Sequence, residues 1–245
     1  MLNGVLMAFS MYTTIPIKNI KWNEKNFPYI IVGLPFVGFV VGLIWYFFAY
    51  LINITNLPVT IKSIFVCLVP IILTGVIHID GYMDCCDAIF SRADLEKKYK
   101  ILKDSHVGAF AVVGVIILSF IYYISIYEIL KGGKNLYSLI FIPIFSRGVV
   151  SLFIIKIKSI FEEGFIASFK KDLTNKHYFI IFTVLCLFLI LSYVFNSFII
   201  CFFNIVFVCF FAIYAIANLK GISGDICGFC ITISSVFSLL MLAIM

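Results

Sequence analysis

The sequence predicts an all-α fold, a polytopic integral membrane bundle of about seven transmembrane helices forming one domain over residues 1–245. Three observations carry that expectation. The chain is 63% hydrophobic and only 12% charged, with a mean hydropathy of +1.16, whereas a soluble domain carries roughly 25% charged residues. Apolar windows of the roughly 20 residues that a helix needs to cross a bilayer recur along its whole length. No alternating pattern suggests a barrel, so the backbone groups placed in lipid must bond within helices.

Taken in order, residues 1–17 are apolar but interrupted by Gly4, Thr13, Thr14 and Pro16, and they lack the basic start and small-residue cleavage pattern of a removable signal. Residues 1–28 are therefore expected to form an interfacial or re-entrant segment. Spans are expected at 29–53 and 60–77, followed by a cytoplasmic segment at 78–107 that bears the first motif. Further spans are expected at 108–130, 136–155, 177–195, 198–217 and 226–244.

Lys and Arg in short loops remain cytoplasmic, so their placement orients the bundle. Of the 18 in the chain, 14 fall in the segment before the first span and in every second loop thereafter, whereas the alternate loops hold only Lys62, Lys131 and Lys134. This asymmetry predicts a cytoplasmic N-terminus, an outward C-terminus and residence in the cell membrane. The net charge of +6 then describes an inner surface facing anionic lipid and anionic substrate. No aromatic-interleaved basic patch suggests nucleic acid. Cys67, Cys186, Cys201 and Cys209 lie in apolar spans, where a thiol packs as a small hydrophobe. Cys227 and Cys230 form a C-x-x-C with no second pair to complete a zinc set.

The stretch HIDGYMDCCDAI at 78–89 places three of the twelve acids within eight positions. At about 100° per residue, Asp80, Asp84 and Asp87 fall within roughly 60° on a helix, so their carboxylates share a face. Clustered negative charge at a membrane edge calls for a cation. A hard divalent ion on carboxylate oxygens fits, with Mg²⁺ the usual choice beside phosphates; the bland alternative is a solvated helix end paired with lysines. The segment GISGDICG puts Asp225 among Gly221, Gly224 and Gly228, where the glycines serve either ligand approach or helix packing. In KYKILKDSHVGAF, Lys103, Asp104 and Ser105 precede Gly108 at a helix start, which favours anions, though ordinary capping explains the same residues. Arg147 lies inside a span and must either pair with an aspartate or contact a phosphate. His78 is a candidate metal ligand, donor or proton acceptor. These parts suit phosphate or diphosphate transfer, which consists mainly of positioning and charge neutralisation.

The order of HIDGYMDCCDAI, KDSHVGAF, the intramembrane Arg of IPIFSRGVV and GISGDICG resembles the cobalamin synthase family, the adenosylcobinamide-GDP ribazoletransferases, from about residue 11 to residue 228. The family pattern carries over to His78, Asp80, Gly81, Asp84, Asp87, Lys103, Asp104, Ser105, Gly108, Arg147, Gly221, Gly224, Asp225 and Gly228. It departs at Thr14, where the family commonly has Arg, at Ala88, where it has Gly, and at Lys220, Gly221 and Ser223, where it has a Gly-Gly pair with Thr. The resemblance implies that adenosylcobinamide-GDP is joined to α-ribazole, or its 5′-phosphate, with release of GMP and a need for Mg²⁺. Combined with the residues, it assigns Asp80, Asp84, Asp87 and Asp225 to the metal and Lys103, Ser105, Gly108, Arg147, Gly221 and Gly224 to substrate. Asp104 and His78 become the candidates for general base. The rival readings are a CDP-alcohol phosphotransferase, whose pattern fails at Ile77, Asp84 and Cys85, and a cation-coupled transporter, for which no internal repeat is visible. Membrane lipid is an expected partner, and a homo-oligomer is compatible with the sequence.

Overall fold

A computed structural model describes residues 1–18 and 20–245. In chain order its helices are α1 (Leu2–Tyr12), α2 (Pro28–Asn53), α3 (Val59–Thr74), α4 (Ile77–Phe90), α5 (Leu95–Ile101), α6 (Ala109–Lys131), α7 (Ser138–Lys156), α8 (Phe165–Lys170), α9 (Asn175–Val194), α10 (Phe198–Leu219) and α11 (Gly224–Ile244). The only β feature among the described residues is one isolated bridge between Ser159 and Ile222. Helices α2, α6, α7, α9, α10 and α11 are each long and apolar enough to cross a bilayer, and α3 with α4 makes a seventh if the bent pair is one span. The expected spans match these helices to within a few residues.

Helix α7 is the central post. It is buried along most of its length, and α2 lies against it where Gly38 and Gly42 leave space only for the α7 backbone near Ile140, Pro143 and Ile144. Small residues at such a crossing permit the close backbone approach on which membrane helix packing relies. Helices α6, α9 and α10 turn much of their surface outward, exposing Phe120, Ile190 and Ile213 among others. An apolar exterior of this kind is what lipid solvates. Helix α1 has 11 residues, too few to cross, and packs along α2 with Gly4 against Tyr29 and Gly33 against Ala8.

The span expected at 60–77 ends early. Gly75 and Val76 both adopt left-handed backbone, with φ of 61° and 62°, and the chain turns by 90° from α3 into α4. The amides of Gly75 and Val76 return to the carbonyls of Ile72 and Ile71, closing α3. Thr14 completes that end from outside. Its amide and hydroxyl donate to the carbonyls of Leu73 and Ile72, at 2.8 Å and 3.0 Å. The motif segment expected at 78–107 is accordingly the helix α4, held between α6 and α11, followed by the short α5 and its turns.

Candidate active site at the crossing of two helices

Helix α4 meets α11 through glycine on both sides. A Cβ on Gly81 would stand 2.8 Å from the Asp225 Cα, and one on Gly228 would stand 3.0 Å from the His78 carbonyl oxygen. Close approach therefore sets the carboxylate of Asp225 beside the acidic face of α4. Ser223 begins α11 by accepting from the Ile226 amide, and its hydroxyl donates to Asp225 Oδ2 at 3.2 Å. Asp225 thus sits in the first helical turn, where the aligned peptide dipoles favour a negative charge.

Along α4, Asp80 is exposed, Asp84 half-buried and Asp87 buried. The sequence reading put all three on one face, and the helix delivers that face. Their surroundings differ. Asp87 accepts from the Gly108 amide at 2.7 Å and from the Ala111 amide at 2.9 Å, one with each oxygen. It closes the N-terminus of α6, which has no side-chain cap of its own. Each oxygen retains lone-pair capacity, since an ionised carboxylate offers about four acceptor positions. Gly108 therefore belongs to this contact, with no space for a Cβ beside the Asp87 carboxylate.

Among the described residues, Asp80, Asp84 and Asp225 have no basic partner within salt-bridge distance. Among the described residues the one ion pair is Asp104 with His106, at 2.7 Å between Oδ1 and Nδ1, so the bland expectation of acids matched to lysines is not met. The described side chains also do not form a group already shaped to hold a metal. What the crossing does present is carboxylate oxygens, without a cationic partner among the described residues, from two helices locked together by glycine, a donor type that suits hard cations in general.

The remaining candidates divide between two places. Lys103 lies with its Nζ 4.4 Å from the centre of the Phe161 ring. Asp104 accepts from the His106 amide at 3.0 Å as well as from its ring, contacts that hold its carboxyl below the usual carboxylate range and weaken it as a base. Ser105 is exposed beside it. Gly221 is pressed on the backbone of Lys158 and Ile160, where Ile222 exchanges hydrogen bonds with Lys158 and Ile160, contacts of the kind the packing alternative requires. Gly224 is exposed with open space where a side chain would be.

His78 and Arg147 lie elsewhere. At about 100° per residue His78 is roughly 120° or more around α4 from each of the three acids, and it faces an internal cavity that Arg147 also lines. The aspartate pairing considered for Arg147 is not made, because no carboxylate is within salt-bridge distance of it among the described residues. Two features escaped the sequence reading. The Tyr12 ring stacks on His78 with centroids 6.2 Å apart, and Thr232 donates to the His78 carbonyl at 2.9 Å. Both contacts join residues distant in sequence, so no local pattern signals them.

The family described as Cobalamin-5-phosphate synthase matches residues 4–243. Two proteins of Clostridium botulinum, from strains Alaska E43 and Eklund 17B, are each 37% identical over 96% of this chain and 95% of their own length, and each is named adenosylcobinamide-GDP ribazoletransferase. A protein of the same name from Clostridium perfringens strain SM101 is 36% identical over 71% of this chain and 68% of its own. No solved structure matches. With a match over nearly its whole length and relatives this similar, the chain belongs to the cobalamin-5-phosphate synthase family of transferases.

Proposed function

We propose that the protein joins adenosylcobinamide-GDP to α-ribazole or its 5′-phosphate, producing adenosylcobalamin or its 5′-phosphate and GMP, at a site on the cytoplasmic rim of the cell membrane. The observation that carries this reading is the meeting of Asp80, Asp84 and Asp225 at the α4–α11 crossing without a basic partner among the described residues. A ribose hydroxyl of the acceptor attacks the phosphorus that remains with cobinamide, and GMP departs. Asp80, Asp84 and Asp225 are the residues that would hold Mg²⁺, with Asp87 fixing α6 beside them and keeping lone pairs to contribute. Bound there, Mg²⁺ would neutralise diphosphate charge.

The other groups position and move a proton. Lys103, on the loop leading to the Gly108 amide that Asp87 binds, supplies a cation for the leaving nucleotide. Ser105 and the open space at Gly224 give the substrate polar contact and backbone access. Asp104 is the base candidate on the same loop, and His78 faces away from the acids.

The test is GMP release and product mass by purified protein in detergent, with adenosylcobinamide-GDP, α-ribazole and Mg²⁺. Asp84→Asn and Asp225→Asn should each lower turnover at least 100-fold, the scale lost when a main electrostatic contact to the transition state is removed. Turnover like the parent's across Mg²⁺ concentrations would show that these acids do not serve the reaction.

A further inference from the structure

Arg147 is nine residues from Ser138 and nine from Lys156 at the two ends of α7, which places it near mid-span. It is only 4% exposed. Among the described residues its guanidinium makes one hydrogen bond, a long contact of 3.4 Å to the Pro143 carbonyl, and its Nε has no partner. His78 is 8% exposed with an unpartnered Nε2. Both line one cavity of about 120 Å³. Two buried groups with missing partners at one void are an unfinished hydrogen-bond network, and such a group is costly to leave unsatisfied.

The chemistry of the cavity identifies what completes it. Thr74, Ser119, Thr232 and Ser235 spend their hydroxyl protons on backbone carbonyls. The donors left are therefore the guanidinium and, in its Nε2–H tautomer, the imidazole, which is a set for an anion. The rest of the wall is apolar and includes Trp45, Leu118 and Tyr122. Its side toward α6 is formed by the half-buried Val115 and the exposed Ser119, and its side toward the α3–α4 bend by the half-buried Ile71 and Ile79. An occupant can enter between those helices.

We propose that this cavity is an anion subsite inside the bundle, which takes a phosphate group carried on a compact apolar or aromatic body, with Arg147 holding the anion and His78 completing the donor set. The phosphate belongs either to a membrane lipid or to a water-soluble aromatic phosphate. The subsite stands on the cavity alone, so its failure leaves the reading of the acids untouched, and the failure of that reading leaves the subsite in place.

Trp45 makes it measurable. This residue lines the cavity, with its Nε1 donating to the Val66 carbonyl at 2.9 Å. Trp22, the other tryptophan, is exposed, so Trp22→Phe leaves Trp45 as sole reporter. Phenyl phosphate titrated into the full-length Trp22→Phe protein in detergent should change Trp45 emission saturably, with benzyl alcohol, a neutral counterpart, at least tenfold weaker. Adding Arg147→Gln should weaken phenyl phosphate at least tenfold, with Arg147→Lys intermediate. No saturable change, an equal response to benzyl alcohol, or an undiminished response in Arg147→Gln overturns the proposal. Should Arg147→Gln fail to fold, Ser119→Phe obstructs the entrance from the exposed face; loss of the response supports the subsite and an unchanged response overturns it. Repetition in nanodiscs with and without phosphatidic acid assigns the source: competition by that lipid supports a lipid phosphate, and binding indifferent to it supports a soluble one.

Discussion

At the scale of single residues, backbone conformation accounts for one departure from the family pattern. Lys220 ends α10 with φ of 59°, a left-handed conformation that costs a residue with a Cβ on the order of 1–3 kcal/mol and glycine almost nothing. The family commonly has glycine here. Lys220→Gly gives back part of that cost, because glycine loses roughly 0.5–1 kcal/mol more backbone entropy on folding. The expected outcome is a net gain of about 0.5–1 kcal/mol, seen as a higher unfolding midpoint in detergent. A lower midpoint would mean that Lys220 makes a contact worth more than its strain. Thr14, another departure, also has a structural task, since it satisfies the last carbonyls of α3. Asp87 is a second side chain whose work is to finish a helix. Asp87→Ala removes two amide partners from the start of α6 and should cost about 1–3 kcal/mol, read from the same unfolding curves. Unchanged stability would show that water replaces the carboxylate without loss.

At the scale of elements, the α4–α11 crossing is the joint on which the acids depend. Gly81→Ala would put a methyl group 2.8 Å from the Asp225 Cα. Both neighbours are helix backbone, so the helices must separate, and overpacking of this kind typically costs 1–3 kcal/mol. Activity should fall by more than stability explains, because displacement by a fraction of an ångström spoils positioning. The informative measurement is turnover against unfolding midpoint for Gly81→Ala; normal turnover would show that the acids need no such proximity. The same joint shows what sequence can carry. The spans were legible because a bilayer demands about 20 apolar residues from each, and the shared face of Asp80, Asp84 and Asp87 was legible because a helix repeats every 3.6 residues. The bend at Gly75 and Val76 was not, since it falls inside an apolar run and is fixed by Thr14, some 60 residues earlier. Nor was the separation of His78 from the acids as a site, or its company with Arg147, because six helices must converge to form that cavity.

At the scale of the whole molecule, the loops sort into two ends with different chemistry. At one end the chain ties together its cation-bearing turns: Tyr99 donates to the Leu219 carbonyl at 2.9 Å, Lys103 lies over Phe161, and Ile222 bonds the backbone of Lys158 and Ile160. The opposite end is closed by neutral contacts, with Asn135 donating to the Phe195 carbonyl at 2.8 Å and the Tyr46 and Tyr137 rings stacked 4.9 Å apart. Even Lys62, a cation expected in the poorly charged loops, is engaged there, donating to the carbonyls of Asn53, the last residue of α2, and Thr55 just beyond it. If the bundle crosses a membrane, the cation-bearing turns at the first end and the acids beside them are expected on one side of it, and the rule for loop cations predicts that this side is cytoplasmic. His106 is exposed at the first end, and Asn56 is exposed at the other. With His106→Cys, a membrane-impermeant maleimide should label inverted vesicles and spare intact cells; with Asn56→Cys it should do the reverse. The parent protein provides the background, since six of its eight thiols are buried. Labelling of both positions from the same side would separate the two ends differently, and labelling of His106→Cys in intact cells would turn the acids outward, away from any nucleotide pool inside the cell.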